Sequence, residues 1–236
     1  MALVFVLLFI FFIFLVVWVL LRLFRVPYPS TFALYFGSPG CGKTTFLTRL
    51  AVKKVKKYHV FTNFDINYPE IYSFEKSDIG TYAFPDCSLL LFDEGSLNGF
   101  DNRDFKTNFK DNNSLEYFKL LRHYRNSIVF GNQGFDELDK KIRTLTNEFW
   151  IVKKFWKFSY AIRVFKYTDV DPDTKQIIDG YRFPSGLKLL FFPRYVQIIY
   201  RPMWYKYFDS YERPALDEID KKEWIRKESE ELPAQL

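Results

Sequence analysis

The run Gly37-Ser38-Pro39-Gly40-Cys41-Gly42-Lys43-Thr44-Thr45 constrains this chain more than any other stretch. It satisfies G-x-x-x-x-G-K-[ST] at every fixed position. Directly before it stands Thr31-Phe32-Ala33-Leu34-Tyr35-Phe36, an apolar, aromatic run with the length of a buried strand. Directly after it, Phe46 to Val52 continues as a helix that ends in a Lys-rich turn, which suits the negative end of the helix dipole. Glycines let such a loop turn its backbone N–H groups toward a phosphate, and the following helix offers its N-terminal dipole. Lys43 is placed to reach the β- and γ-phosphates, and the Thr44 hydroxyl to ligate Mg²⁺. The nine loop residues together are expected to hold a nucleotide, with ATP as the default because no Asn-Lys-x-Asp-like guanine reader is evident. Cys41 lies where the backbone does the binding, so its thiol is expected to have no chemical role.

A phosphate loop of this kind predicts a second strand that ends in a metal-directing Asp. Ser88-Leu89-Leu90-Leu91-Phe92-Asp93-Glu94 supplies one. Asp93 would hold Mg²⁺, directly or through water, and Glu94 would polarise the attacking water as general base. A third strand is expected at Ser127-Ile128-Val129-Phe130-Gly131-Asn132-Gln133, with Gln133 at its tip where water or a γ-phosphate is sensed. Between these strands a helix is expected from an N-capping Ser114 to about Arg125. Another helix is read over Asp136–Arg143 and a further strand over Glu148–Val152. Alternating strands and helices imply an α/β fold: a P-loop NTPase with a mostly parallel sheet flanked by helices and nucleotide at the strand C-termini.

The front of the chain is of a different kind. Met1 to Leu21 contains no charged residue, and such a run spans roughly 31 Å as a helix, about the thickness of a bilayer's hydrocarbon core. A cleaved signal peptide would want basic residues before the apolar run and a small-residue cleavage site. Neither is visible, and Arg22 and Arg25 follow the run instead. An uncleaved transmembrane helix is expected, with a buried core helix or a signal peptide as the alternatives. The positive-inside tendency puts the N-terminus outside and residues 22–236 in the cytoplasm. No later segment reads as a second span; Leu187–Tyr200 is broken by Lys188, Pro193, Arg194 and Gln197.

Composition removes several classes. Two cysteines, Cys41 and Cys87, exclude a disulfide scaffold, and two histidines argue against a His-based zinc site. Aromatics at 21% exclude disorder as the main state. The net charge of +6 is unevenly spread: residues 151–213 hold 12 basic and 6 acidic residues, while 214–236 hold 4 basic and 7 acidic. The expected division is a transmembrane helix with basic flank (1–25), an NTPase core (26–152), a small, basic, aromatic, β-rich extension (153–213) and a charged tail (214–236) containing a short helix over Leu216–Ile225.

The extension reads three ways. Phe155 to Tyr167 interleaves aromatic and basic residues with strand-like composition, and turns are expected at Asp171-Pro172-Asp173-Thr174 and Asp179-Gly180. Cations for phosphates and rings for bases would suit single-stranded nucleic acid. An antiparallel hairpin whose aromatics are core, or a surface for lipid headgroups, fits the same residues.

The motifs occur in a telling order: the phosphate loop after Phe36, the Leu-Leu-Leu-Phe-Asp-Glu strand, Leu121-Arg122-His123-Tyr124-Arg125-Asn126, Phe130-Gly131-Asn132-Gln133, and Leu138-Asp139-Lys140-Lys141-Ile142-Arg143. This series, over about residues 32–160, resembles the zonula-occludens-toxin-like family, the inner-membrane assembly ATPases of filamentous phages. The resemblance implies a membrane-bound motor that uses ATP to extrude and coat single-stranded phage DNA. It implies phage coat proteins, the host inner membrane and possible single-stranded DNA as partners. Because such proteins look related to the hexameric FtsK/HerA-like motors, it also implies a homo-oligomer, with Arg143 or Arg122 as an arginine finger toward a neighbour's γ-phosphate. His123 is expected to be structural. The order of parts departs from the family's usual ATPase–helix–periplasmic arrangement, so a periplasmic partner-binding segment is expected to be absent. Two rivals stand beside this reading: a DNA packaging or conjugation-type translocase, and a nucleotide-binding membrane scaffold with little hydrolysis.

Overall fold

Strand β1 (Phe32–Phe36) is buried along its whole length, as only a strand with neighbours on both edges and layers on both faces can be. A computed structural model describes residues 2–24, 31–95, 113–170 and 177–208 of the 236. In it β1 lies parallel to β5 (Ser127–Asn132) on one side and to β6 (Glu148–Phe155) on the other. Beyond β5 come β4 (Ser88–Phe92), β2 (His59–Thr62) and β3 (Ile71–Ser73), all parallel. Beyond β6 the sheet turns antiparallel through β7 (Phe158–Val170), which also pairs with β8 (Ile177–Arg182) and β9 (Val196–Tyr200). The result is one nine-stranded sheet ordered β3-β2-β4-β5-β1-β6-β7-β8, with β9 on β7. This is the α/β, P-loop NTPase architecture, with the acidic strand β4 separated from the loop-bearing strand β1 by β5.

Alternation along each strand sorts the core into two layers. Phe32, Leu34 and Phe36 face one way with Leu90, Phe92, Ile128, Phe130 and Phe149. They pack on α3 (Asn113–Leu120) and α4 (Lys140–Leu145) through Tyr117, Phe118 and Ile142. Ala33 and Tyr35 face the other way with Leu89, Leu91, Val129 and Trp150. Against that face lies α2 (Lys43–Lys54) with Phe46, Leu47, Leu50 and Ala51, joined by Ile199, Trp204 and Phe208 from the C-terminal region.

Several expectations are corrected. The helix expected from Ser114 to Arg125 ends at Leu120, and Ser114 is not its cap: its hydroxyl donates to the Ile79 carbonyl at 3.2 Å. Residues 121–125 turn instead, with Arg125 at φ 55°. Asn126 pins that turn by accepting from the Ser88 N–H at 2.8 Å and donating to the Tyr117 hydroxyl at 2.9 Å. The helix expected over Asp136–Arg143 begins only at Lys140, because Asp139 caps it by accepting from the Lys141 N–H at 2.6 Å. Of the three readings of the aromatic–basic run, the antiparallel hairpin is the one the fold contains: Trp156 and Lys157 turn the chain between β6 and β7 and pair Phe155 with Phe158. Asp179 and Gly180 are not a turn but part of β8, where a Cβ on Gly180 would stand 2.9 Å from the Tyr167 ring.

The segment Leu187–Tyr200 is broken into α5 (Gly186–Phe191), a 3₁₀ turn and β9, so it does not form a span. The division placed at residue 152 falls inside β6, and β7 and β9 extend the same sheet. Arg25, the turn at 171–174, the helix over 216–225 and the acidic tail lie outside the described residues. At the front, α1 (Ala2–Phe24) is long and apolar enough to cross a membrane, and its window Val4–Leu21 is unburied by the rest of the chain.

Phe130 illustrates the cohesion of the first layer: it is fully buried, with ring centroids 5.0 Å from Phe92 and 5.5 Å from Phe32, both stacked. Phe130→Ala is expected to destabilise the fold by about 3–5 kcal/mol and Phe130→Leu by under about 1.5. Chemical denaturation of the full chain in detergent, followed by tryptophan fluorescence, measures both.

Candidate nucleotide-binding site

The phosphate loop begins where β1 ends. Its first amide is tied to β5: the Gly37 N–H donates to the carbonyls of Asn132 and Gln133, each at 3.2 Å. Ser38, Pro39 and Gly40 form an exposed rim, whereas Cys41, Lys43 and Thr45 are buried. Gly42 takes φ 100° at the head of α2, a left-handed conformation open to glycine at little cost. A Cβ there would also stand 2.6 Å from the Ser159 hydroxyl. The Lys43 ammonium folds over the loop and donates to the Gly37 carbonyl at 2.8 Å and to Ser38 at 3.3 Å. Burial pushes the Cys41 thiol up from its usual value, with the positive charge of Lys43 opposing, which leaves it protonated and inert at neutral pH.

The acidic strand meets this loop at one point. Thr44 donates its hydroxyl proton to Asp93 Oδ2 at 2.5 Å. Burial raises the Asp93 carboxyl above the ordinary range, while the hydrogen bond from Thr44 and the nearby Lys43 pull it back. Glycine at position 131 allows the approach: a Cβ there would lie 2.8 Å from Asp93 Oδ1 and 3.1 Å from Leu47. The Asp93 backbone is clamped by Asn63, which follows β2: Asn63 Oδ1 accepts from the Asp93 N–H at 2.7 Å and Nδ2 donates to the Asp93 carbonyl at 3.0 Å. Glu94 is exposed and sits at φ 50°, a backbone conformation that costs a non-glycine residue roughly 1–2 kcal/mol. Its backbone N–H donates to Asp93 Oδ1 at 3.2 Å, just past the C-terminal end of β4.

The fold therefore gathers the loop residues, Asp93, Glu94 and Gln133 at one edge of the sheet. Arg143 stands apart on α4, where Nη1 pairs with Asp136 at 2.6 Å and the guanidinium lies 5.0 Å from the Phe135 ring centroid. Arg122 is exposed in the turn before β5, at the sheet edge opposite the loop. Asn63, Gly131, Ser159 and Arg201 were not legible as site residues. Ser159 donates to the Cys41 carbonyl at 2.5 Å and Arg201 Nη1 to the Gly40 carbonyl at 3.5 Å. No spacing in the chain marks these partners; they arrive through pairing of distant strands.

A Mg²⁺ ion fits this donor set. The Thr44 hydroxyl and Asp93 carboxylate converge on one place, and Mg²⁺ characteristically takes one or two protein oxygens together with phosphates and water. Among the described residues no group of three or more His, Cys, Asp or Glu could hold a metal by itself.

No family model matches the sequence, and no curated protein matches it. Among solved structures the chain is similar to the N-terminal domain of zonular occludens toxin from Neisseria meningitidis, at 18% identity and TM-score 0.42, over 69% of this chain and 99% of that one. It is also similar to the genome packaging NTPase B204 from Sulfolobus turreted icosahedral virus 2, solved with ATP-gammaS, at 9% identity and TM-score 0.43, over 67% and 100%. The flagellar accessory protein FlaH from Methanocaldococcus jannaschii matches at 13% and TM-score 0.43, over 60% and 80%.

Two outcomes follow from the geometry. Gly131→Ala is expected to weaken the Mg²⁺-dependent part of nucleotide binding by about 10- to 100-fold while leaving Mg²⁺-free binding near wild type, as read by titration with and without the metal. Alkylation at neutral pH is expected to label the partly exposed Cys87 and to reach the buried Cys41 only after denaturation, as peptide mass spectrometry would show.

Proposed function

We propose that this chain is a membrane-anchored P-loop ATPase that drives assembly and extrusion of filamentous phage particles, single-stranded DNA with its coat protein, through the host inner membrane. The observation that carries the enzymatic half is the Thr44–Asp93 contact beneath the phosphate loop, with Glu94 next in sequence and Gln133 at the tip of the neighbouring strand. When bound with nucleotide, Mg²⁺ would neutralise charge on the β- and γ-phosphates. The loop amides and Lys43 hold the same phosphates. Glu94 takes a proton from the attacking water as its oxygen bonds to the γ-phosphorus and the bond to the β-phosphate oxygen breaks, and Gln133 orients that water.

The anchoring half rests on α1, which this reading places across the host cytoplasmic membrane with the N-terminus outside and the ATPase in the cytoplasm. The cargo and the coat-protein partners rest on the motif series of residues 32–160. In a homo-oligomer, a hexamer by analogy, Arg143 or Arg122 of one copy would reach the γ-phosphate of the next. For Arg143 that requires release from Asp136.

Steady-state ATP hydrolysis by the full chain in detergent, with and without single-stranded DNA, tests this. Lys43→Ala is expected to lose nucleotide binding. Glu94→Gln is expected to keep binding and to lose about 10²- to 10⁴-fold in turnover. A wild type that binds ATP yet turns over no faster than Glu94→Gln would replace the motor with a nucleotide-binding scaffold.

A further inference from the structure

The order of strands gives the phosphate site a polarity. Asp93 and Glu94 follow β4 and Gln133 follows β5, all on one side of β1; β6 and β7 lie on the other. A triphosphate in the loop must turn its γ-phosphate toward the acids and the amide, so its nucleoside must leave toward β6 and β7. That side is not bare. β6 runs parallel to β1, Phe36 facing Ile151, and continues past the end of β1 to Phe155 before the chain turns at Trp156-Lys157 into β7. The hairpin tip thus rises beside the loop.

The Arg201 guanidinium bridges the tip and the loop. Arg201 Nη2 donates to the Trp156 carbonyl at 2.5 Å, Nη1 to the Gly40 carbonyl at 3.5 Å, and the Arg201 N–H to the Lys157 carbonyl at 3.0 Å. Two residues further along β7, Ser159 donates to the Cys41 carbonyl at 2.5 Å. At the turn, Trp156 holds φ 50°, a conformation unfavourable for an aromatic residue, and the residue is 69% exposed. The Lys157 ammonium lies 5.1 Å from the ring centroid. A large ring held in water on a strained turn, at a fixed offset from the phosphate loop, has the attributes of a ligand platform rather than of core.

We infer that the Trp156 indole is the stacking platform for the base of the bound nucleotide, held in register with the phosphate loop by Arg201. The inference rests on the proposal that the loop binds ATP and adds where the base goes. Stacking on an indole is indifferent to the pattern of donors and acceptors on the base, so this contact favours nucleotides over bare polyphosphate without selecting among purines. Arg201 is a positioning residue: both of its η nitrogens are engaged by backbone carbonyls.

Equilibrium binding to the full chain in detergent, with radiolabelled ATP and with inorganic tripolyphosphate as competitor, tests it. Trp156→Ala is expected to lose about tenfold in ATP affinity while tripolyphosphate binds as to wild type, and Trp156→Phe to recover most of the loss. Equal loss for both ligands would make the tip merely structural and overturn the inference, as would ATP affinity unchanged in Trp156→Ala. Unchanged ATP affinity with loss of a single-stranded oligonucleotide would assign the ring to the polymer instead and also overturn it. A wild type that binds neither ATP nor tripolyphosphate would sink the ATPase reading itself, whereas wild-type ATP binding indifferent to Trp156 sinks only the platform.

Discussion

The meeting of the Thr44 hydroxyl with the Asp93 carboxylate organises everything around it. The two residues are far apart in sequence: Thr44 lies in the first turn of α2, after β1 and its loop, and Asp93 just past the end of β4, and β5 stands between those two strands. They reach one another across the end of β5 because position 131 carries no side chain and because Asn63 clamps the Asp93 backbone from the far side. Buried carboxylates are costly unless hydrogen-bonded or paired. Here the hydroxyl donor and the nearby Lys43 offset part of that cost, and a divalent cation would complete it. The elements behind this point, α2 on one face and the stacked phenylalanines on the other, keep the two strand ends in register.

The C-terminal strands belong to the same machine. Arg49, buried in α2, donates to the Ile198 carbonyl of β9 at 2.9 Å, and burial lowers its guanidinium only to about 10, so it stays charged at neutral pH. Tyr35 of β1, its phenol pushed upward by burial, accepts from Gln197 of β9 at 3.0 Å. With Ser159 and Arg201 on the loop carbonyls, β7 and β9 brace both the strand that leads into the phosphate loop and the loop itself. Trp204 and Phe208 share a core with Leu47 and Leu50. Truncating the chain near residue 152 would cut through β6 and expose this core, so the basic region is unsuited to act as a detachable appendage. Hydrogen bonds thus run from the hairpin directly to the backbone of the phosphate loop.

The strands of this chain are legible along the sequence, and the ends of its helices are not. The loop, β1, β4 and β5 were legible because a fixed spacing and short, wholly apolar runs encode them locally. The helix ends were not. Asp139 starts α4 by capping the Lys141 N–H, a choice that hydropathy does not mark, and Asn126 ends the segment after α3 through Ser88 and Tyr117, partners supplied by other elements. The turn at Trp156-Lys157 carries none of the Gly or Asn that usually mark one, and Gly180, which looks like a turn, is a gap left for the Tyr167 ring.

The residue pattern by itself determined that a phosphate-binding loop joins a buried strand to a helix, that a second strand delivers two carboxylates, and that the first two dozen residues are apolar enough to cross a bilayer. These follow from local sterics, dipoles and hydropathy, which a short window contains. Only the tertiary structure decided that Asn63, Gly131, Ser159 and Arg201 serve the same site, that Arg143 is paired with Asp136, and that the aromatic, basic region continues the central sheet. Those relations come from strand order and side-chain contact, some between residues more than a hundred positions apart, as for Ser159 with Cys41 and Arg201 with Gly40, and no periodicity along the chain records them.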